Sequence, residues 1–371
     1  MSTSQHLLDQ QLLDTGALSR LLSITDLTDP AHGPHAIQEL LGRIVDRLAG
    51  AWGCEVRWVR RSPVVSIEDN YDRLGIPPES VSRDVRYTRY VSHDVVLRTH
   101  STAHIPQALR ELASDPVDDV LLVSPGMVYR RDSIDRIHTG TPHQVDLWRV
   151  RRGKPLADTD LDTMARLVIE QAAPGRLNRH LTAEHPYTTH GRQVDVSDDG
   201  EWIEILECGL AHPSVLHRSG LDGWSGLAMG LGLDRLVMLR KGIPDIRLLR
   251  SDDSRVSEQM GDLRPYRPVS SHPPIRRDIS VAVDADLDAE TLGDAVRTAL
   301  GEDADWVEAL EIVAVTPVDR LPVSAVVRLC ITEGQVNALI RMTLRHPTRT
   351  LNDAEANRLR DLLIDVIQGW V

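Results

Sequence analysis

The sequence contains no phenylalanine, and aromatic residues make up only 4% of its 371 positions. Cysteine is almost as scarce, with three widely separated residues, Cys54, Cys208 and Cys330. An odd number of distant thiols gives no zinc-ligand spacing and favours free cysteines in a reducing compartment. No apolar run reaches the length of a membrane span, and no basic segment followed by a long apolar stretch opens the chain. We therefore expect a cytoplasmic protein with no membrane segment.

The composition that remains is that of a globular protein. Hydrophobic residues make up 41% of the chain and charged residues 26%, which is enough for two domains with separate cores. The formal net charge is −13. This acidic balance argues against sequence-independent nucleic-acid binding by counterion release, because that binding requires an excess of cations. An RNA partner would need a local basic patch.

Two stretches about eighty residues apart carry most of the information. Residues 127–150 have the pattern of an antiparallel hairpin whose long loop is rich in charge. Residues 226–235 form a glycine-spaced apolar strand that leads into Asp234, Arg235 and a helix-compatible segment. Arg130 and Arg235 thus come from separate elements. A guanidinium group is permanently charged and can donate two parallel hydrogen bonds to phosphate oxygens. The pattern therefore suits a polyphosphate that is bound by one arginine at each end. The alternative is an ordinary solvated, salt-bridged surface.

The order and spacing of these stretches resemble phenylalanyl-tRNA synthetase, a class II aminoacyl-tRNA synthetase, and chiefly its α chain. The residues that match its second class motif are Gly126, Val128, Tyr129, Arg130, Asp132, Asp135, His138 and residues 142–146. Its third motif corresponds to residues 226–235, followed by a similar run at 242–247. The resemblance implies an α+β fold, with an antiparallel sheet flanked by helices. It also implies a ligase that activates an amino acid with ATP and transfers it to tRNA.

The resemblance also implies an ATP site. Arg130 would hold the α-phosphate and the substrate carboxylate, and Arg235 the γ-phosphate, as the two catalytic residues. The complete ATP-binding set that it implies is Arg130, Asp132, His138, Pro142, Asp234 and Arg235. Glu204 is the candidate Mg²⁺ ligand, because magnesium in such sites takes one or two carboxylates together with substrate phosphates. A glutamate on a strand can equally face solvent alone.

The amino-acid site that the resemblance implies is altered in this chain. Its expected members are His100, Thr102, Gln144, Asp146, His185, Tyr187, Glu207 and Ala228. The alternative for residues 99–102 is a plain helix cap. His185, Tyr187 and Glu207 replace two phenylalanines and a glycine of the family. Because buried polar groups must be paired, we predict that phenylalanine is a poor substrate, unless these side chains turn away from the ligand.

Two further departures concern the rest of the site. Aspartate replaces glutamate at positions 146 and 234, which shortens each side chain by one methylene. Pro142 stands where the family has an adenine-stacking phenylalanine. We expect these changes to weaken ATP binding without abolishing it. The missing phenylalanine itself has two interpretations: drift, with Leu and Met filling the volume, or selection for translation that does not depend on charged phenylalanine tRNA.

The chain divides into four predicted regions. Residues 1–30 form a helical extension, and 31–262 the catalytic domain, beginning with a helix from Ile37 to Gly50 that resembles the first class motif and would form a homodimer interface. A Pro- and Arg-rich linker covers 263–275. Residues 276–371 have the order β-α-β-β-α-β of a ferredoxin-like domain, with a strand expected at 321–333 and a capping box at Asn352 and Glu355.

The C-terminal region resembles the ferredoxin-fold anticodon-binding domain, and the whole layout resembles the single-chain organellar enzymes. The residues that would bind tRNA are Arg277, Arg341, Arg345 and Arg349. The predicted function is therefore amino-acid activation and transfer to tRNA, with ATP and Mg²⁺. The alternatives are an adenylate-forming ligase with a different acceptor, and a non-catalytic tRNA-binding paralogue. A ferredoxin-like fold alone would not imply RNA.

Overall fold

The computed structural model describes residues 12–85, 87–269, 272–332 and 334–368. The first residues of the predicted N-terminal extension, 1–11, lie outside these ranges. No helix among the described residues has both the length and the apolar character needed to cross a bilayer. The chain forms two compact units. The first consists of Met1–Arg130, Thr141–Ile243 and Gln259–Tyr266, and the second of Arg131–Gly140, Pro244–Glu258 and Arg267–Val371.

The first unit is built on a seven-stranded sheet. The strands of this unit, in chain order, are β1 (Glu55–Trp58), β2 (Val64–Ser66), β3 (Val95–Leu97), β4 (Asp119–Met127), β5 (His143–Arg152), β6 (Asn178–Thr182), β7 (Thr188–Asp198), β8 (Glu201–Ala211) and β9 (Trp224–Gly232). β2 and β3 form a separate two-stranded sheet. The order across the large sheet is β1-β4-β5-β9-β8-β7-β6. Only the β1–β4 pair is parallel. The predicted antiparallel sheet of a mixed α+β fold is confirmed.

Helices cover this sheet. They are α1 (Thr15–Ser23), α2 (Ala36–Trp52), α3 (Ile67–Asn70), α4 (Ile105–Ser114), α5 (Asp158–Ala172), α6 (Pro213–Arg218) and α7 (Leu233–Lys241). The predicted first-motif helix is α2, but it continues past Gly50 to Trp52. It ends at Gly53, whose φ of 63° favours glycine as the terminating residue.

The apolar side of α2 is already used within the chain. Its residues Ile37, Leu40 and Ile44 are completely buried, and the helix packs against α5 and α7. A homodimer through this helix would therefore have to use its polar side, and that interface stays a prediction.

The second unit contains a three-stranded antiparallel sheet. Its elements are α8 (Ser254–Ser257), β10 (Ile275–Asp284), α9 (Ala289–Leu300), β11 (Val307–Pro317), α10 (Val323–Leu329), β12 (Gln335–Leu344) and α11 (Asp353–Gln368). The strand order is β10-β12-β11. The capping box before α11 is confirmed: the Glu355 amide donates to Asn352 Oδ1 at 2.9 Å, and the Asn352 amide donates to Glu355 Oε2 at 3.0 Å.

The strand predicted at 321–333 is wrong, because this stretch contains α10. Its β-branched residues suggested a strand, yet Val323 and Val327 are 80% and 71% exposed and have no sheet to cover. The central strand β12 is paired on both sides, by β10 and β11. Pro322 stands directly before the helix, where a missing N–H does no harm. The unit follows the order β-α-β-β-α, with α10 inserted between β11 and β12, and the final strand of the ferredoxin-like order does not occur among the described residues.

Candidate active site

The predicted hairpin forms and stands beside the strand of the third motif. β4 and β5 are paired from Met127 and His143 onward, and β5 in turn pairs with β9. β9 runs directly into α7, as the sequence predicts. The arginine of the hairpin does not lie within a strand, because β4 ends at Met127. Arg130 follows that end and forms an isolated antiparallel bridge with Thr88.

The middle strand of the site has almost no side chains on one face. Gly230 is paired with Asp146, and Ala228 with Trp148. Because side chains alternate along a strand, Ala228, Gly230 and Gly232 face the same side as Asp146 and Trp148. A Cβ atom added at Gly230 or Gly232 would meet no atom within 4 Å. The face therefore has a floor of backbone with open space above it.

Acidic side chains border this floor on its other side. Glu207 in β8 is paired with Gly230, so Asp146 and Glu207 flank that glycine in one row across the sheet. A register shift between Val194 and Asp195 leaves one extra residue in β8, at Ile205. Such a bulge interrupts the alternation of side chains, and it brings Glu204 to the face that carries Glu207.

Glu204 lies among the charges expected of a phosphate and magnesium site. Its pKa is raised by the protein around it and by Glu207, and it is lowered by Arg235 and Arg130. The two motif arginines are thus close enough to act on one carboxylate. No cluster of three or more metal-binding side chains occurs among the described residues. Mg²⁺ held by one or two carboxylates plus phosphates needs no such cluster, so Glu204 fits it.

Asp146 is buried at the centre of the site. It is 2% exposed, it accepts a hydrogen bond from Trp148 Nε1 at 3.0 Å, and it is also hydrogen-bonded to Thr102. Burial raises its pKa to about 7, against these hydrogen bonds, which lower it. Predicted residues Asp146 and Thr102 are therefore in contact. Gln144 lies on the same face of β5, two residues away.

His100 stands next to Thr102 and has no capping role. The short 3₁₀ helix Ser101–His104 and α4 behind it both begin without a side-chain cap, so the capping alternative is wrong. Both ring nitrogens of His100 are buried, and neither makes a hydrogen bond to a described side chain. Burial, assisted by the nearby charge of Arg130, lowers the pKa of His100 to about 4. The ring is therefore a neutral imidazole near the backbone of Asn70.

The three polar replacements in the amino-acid site form one cluster. His185 Nε2 and Glu207 Oε2 are 3.0 Å apart. The His185 ring lies 5.3 Å from the ring of Tyr187, which stacks on Trp148 at 6.5 Å. The sequence alone could not decide whether these side chains face one another, and they do.

Asp234 is engaged with a residue that sequence reasoning missed. Its carboxylate accepts from the backbone N–H of His143 at 2.5 Å and from His143 Nδ1 at 2.8 Å. His143 is completely buried, and its Nε2 accepts from the Leu27 amide at 3.1 Å. Asp234 thus ties the first turn of α7 to the first residue of β5. Its position next to Gln144 in the motif was the only available signal for His143.

Two members of the predicted ATP-binding set belong to the second unit. Asp132 and His138 lie in Arg131–Gly140, whereas Arg130, Pro142 and Asp234 lie in the first unit. Arg297 of α9 donates to the backbone oxygens of Asp132 and Ser133. His138 is bonded to Asp135, with Nδ1 and Oδ2 2.6 Å apart.

Residues 131–140 are packed as part of the second unit. Ile134 belongs to its hydrophobic core, and the Leu310 amide donates to the Ile134 oxygen at 3.0 Å. A Cβ atom on Gly293 would stand 2.6 Å from the Asp132 oxygen, so only glycine allows this approach.

The four arginines predicted to bind tRNA are all paired with carboxylates. The pairs are Arg277 with Asp353 at 2.6 Å, Arg341 with Asp278 at 2.7 Å, Arg349 with Glu355 at 2.7 Å, and Arg345 with Glu308. Their positive charge is therefore compensated in the free protein. Phosphate contact would have to compete with these pairs or share the outer guanidinium edge, and RNA binding by this surface stays a prediction.

Comparison with known proteins assigns the chain to a family. Residues 27–260 match the model described as tRNA synthetases class II core domain (F). The phenylalanine–tRNA ligase alpha subunit of Prochlorococcus marinus (strain MIT 9313) is 36% identical over 260 residues, covering 67% of this chain and 74% of that protein. The probable mitochondrial phenylalanine–tRNA ligase of Drosophila melanogaster is 28% identical over 409 residues, covering 93% of this chain and 86% of that protein.

A third relative extends the same pattern. The chloroplastic/mitochondrial phenylalanine–tRNA ligase of Arabidopsis thaliana is 30% identical over 321 residues, covering 83% of this chain and 70% of that protein. A solved structure of a pyrrolysyl tRNA synthetase from Desulfitobacterium hafniense aligns with a TM-score of 0.45 and 20% identity, over 66% of this chain and 80% of the other. On its sequence motifs, its matched core and these relatives, the chain belongs to the class II aminoacyl-tRNA synthetases of the phenylalanyl type, and it is a ligase.

Proposed function

We propose that this ligase activates an amino acid other than phenylalanine with ATP and transfers it to tRNA. The observation that carries the proposal is the row formed by Asp146, Gly230 and Glu207. It combines an open backbone floor with carboxylates at both ends. In addition, Arg130 and Arg235 act together on the neighbouring Glu204.

The first step needs little covalent chemistry from the protein. The amino-acid carboxylate attacks the α-phosphorus of ATP in line, the bond to the β-phosphate oxygen breaks, and pyrophosphate leaves with that electron pair. Charge builds on phosphate oxygens, so fixed guanidinium groups at Arg130 and Arg235 would stabilise the transition state. Mg²⁺, if held by Glu204, would neutralise phosphate charge. Gly230 leaves the floor open, so the reacting groups can lie close together.

Asp146 and the residues around it suit the amino end of the substrate. An α-ammonium group would supply the positive charge that the buried Asp146 carboxyl needs in order to ionise. The ring of His100 and the hydroxyl of Thr102 would orient the rest of the amino-acid backbone. In the second step a terminal hydroxyl of tRNA attacks the adenylate carbonyl and releases AMP.

A pyrophosphate-exchange screen tests the proposal. Purified protein is incubated with ATP, Mg²⁺ and each of the twenty standard amino acids in turn, and total tRNA is then charged with any acid that supports exchange. We expect exchange with at least one acid other than phenylalanine, followed by charging. Exclusive exchange with phenylalanine contradicts the altered substrate, and exchange without tRNA charging indicates a different acceptor.

The Arg235→Ala variant tests whether pyrophosphate exchange depends on the proposed phosphate-binding arginine. It should retain the fold, because Arg235 is a half-buried residue in the first turn of α7, and lose exchange with every acid. A variant with full exchange would remove this arginine from the phosphate site.

A further inference from the structure

A hydrogen-bonded pair of side chains, His185 and Glu207, lies in the wall of the amino-acid site. His185 and Glu207 are bonded through Nε2 and Oε2 at 3.0 Å, and their side chains are 20% and 39% exposed. The hydrogen bond to Glu207 raises the pKa of His185, and Asp146 and Glu204 raise it further. The His185 imidazole and the Glu207 carboxylate therefore face the site side by side, joined by a hydrogen bond.

Next to this pair the wall is flat and aromatic. The Tyr187 ring stands between the His185 ring, at 5.3 Å and 35°, and the Trp148 ring, at 6.5 Å and 28°. Trp148 and Ala228 belong to one buried cluster against which Tyr187 packs, so the open space lies next to them, over Gly230. A planar side chain can lie over this open backbone, between Asp146 and Glu207.

One atom of the pair remains available to a ligand. Glu207 has no other side-chain hydrogen bond to a described residue, so Oε1 can still accept. An apolar ring packed against this oxygen would displace its water without supplying another hydrogen bond, which is unfavourable. An anionic group would be repelled by the Glu207 carboxylate, and a cationic group would compete with His185 for it. A neutral group that donates a hydrogen bond meets neither penalty.

The spacing of the site gives a second, independent argument. Asp146 and Glu207 lie on strands separated by β9, and adjacent strands are about 4.8 Å apart, so the two Cα atoms are roughly 10 Å apart. An aromatic amino acid with its ammonium group on Asp146 would span this row and bring the far edge of its ring to Glu207. A polar group on the far edge of the ring would therefore contact Glu207.

We propose that the site selects aromatic α-amino acids whose ring carries a hydroxyl group, with Glu207 accepting the hydrogen bond of that hydroxyl and His185 holding Glu207 in place. This inference rests on the adenylation proposed above. It makes Glu207 a specificity-determining residue and His185 a positioning residue.

The test measures kcat/KM for pyrophosphate exchange with L-phenylalanine, L-tyrosine, its 3-hydroxy isomer, L-histidine and L-leucine. We expect a ring-hydroxylated acid to exceed phenylalanine by roughly 10³-fold or more, because a site built to bind a hydroxyl rejects the analogue that lacks it. Equal or better use of phenylalanine by the unmodified protein overturns the inference while leaving adenylation intact. Exchange with none of the five overturns it as well, and a screen of the other acids then decides whether adenylation also fails.

Substitutions at positions 185 and 207 test which side chains determine the preference for a hydroxylated ring. The double variant His185→Phe with Glu207→Gly should bring the preference for the hydroxylated acid below about tenfold, mainly through faster use of phenylalanine. Glu207→Gln keeps an accepting oxygen and should retain the preference within about tenfold. His185→Phe alone should weaken the preference by raising KM for the hydroxylated acid more than it lowers kcat.

A control on the same strand separates specificity from stability. Glu201 is exposed at the start of β8, and Glu201→Gln should match the unmodified protein in both the preference and the thermal midpoint. If the double variant keeps a folded midpoint and an unchanged preference, the hydrogen-bonded pair does not set specificity. If it unfolds, the substrate ranking of the unmodified protein decides.

Discussion

Replacing Asp146 by asparagine should remove a pH dependence from the stability of the protein. The folded carboxyl has a pKa raised by burial to about 7, whereas the ordinary value is 3.8. Between these values the unfolded chain is ionised while the folded carboxyl stays protonated. Folding then takes up a proton, so this group lowers the free energy of unfolding as the pH rises through that window, and the loss is complete above about pH 7.

The magnitude can be worked out over an accessible range. From about pH 5 to pH 8 the unfolded carboxyl is ionised throughout, and the folded one passes through its pKa of about 7. Each pH unit below that pKa corresponds to about 1.4 kcal/mol, so this range removes about 3 kcal/mol. In the Asp146→Asn variant, the amide oxygen of the new side chain can still accept from Trp148 Nε1, which the aspartate does at 3.0 Å. The variant should therefore gain about 3 kcal/mol relative to the unmodified protein across the range.

Urea unfolding at several pH values, followed by tryptophan fluorescence, measures this difference. The control is Asp118→Asn, since the Asp118 side chain is 84% exposed and should leave the pH dependence unchanged. Parallel stability curves for Asp146→Asn and the unmodified protein would refute the buried, protonated carboxyl. The same variant should lose affinity for the substrate ammonium group, so activity and stability are expected to move in opposite directions above about pH 7.

Other substitutions test the floor, the phosphate arginine and the packing behind the hairpin. Gly230→Ala meets no atom within 4 Å, so the thermal midpoint should stay within about 2 °C while pyrophosphate exchange falls at least tenfold; unchanged exchange would mean that no ligand lies on this strand. Arg235→Lys keeps the charge but not the paired donors, and it should raise KM for ATP about tenfold, which initial-rate kinetics would show or contradict. Gly126→Ala should destabilise the fold by about 3 kcal/mol or more, because the residue has a φ of 133° and its Cβ would collide with Arg98; a midpoint equal to that of the unmodified protein in denaturant unfolding would rule this out.

The hairpin, its partner strand and the helix after it could be predicted because each depends on a local pattern. Alternating apolar residues, glycines and charged loops act over a few positions, and β4, β5, β9 and α7 follow from them. The resemblance to the synthetase family then predicted that these elements belong to one site. By contrast, the β-bulge at Ile205 depends on pairing between β7 and β8, and it decides which way Glu204 points. No pattern within β8 itself reveals it.

Long-range packing explains the other errors. Val323 and Val327 have the composition of a strand, but they lie in a helix that begins after Pro322, and the next strand in the chain, β12, is already paired on both sides. Residues 131–140 look like part of the catalytic motif, yet Ile134 is buried in the core of the second unit. In both places the structure depends on residues far away in the sequence or on strands that are already paired. The periodicity of a short segment carries no information about either.

The two shortened acidic side chains acquire a different meaning in the structure. A loss of one methylene at positions 146 and 234 suggests a weaker grip on the ligands, if the carboxylates face ATP or substrate directly. Instead, both are buried, at 2% and 4% exposure, and both are bonded to protein groups, Asp146 to Trp148 and Asp234 to His143. A shorter side chain reaches a nearby protein partner without crowding the open floor. Asp146 serves the ammonium group that all amino acids share, so discrimination between side chains is left to Glu207 on the opposite border. For this reason we expect the substrate preference of the chain to follow changes on β8 more closely than restoration of glutamate at position 146 or 234.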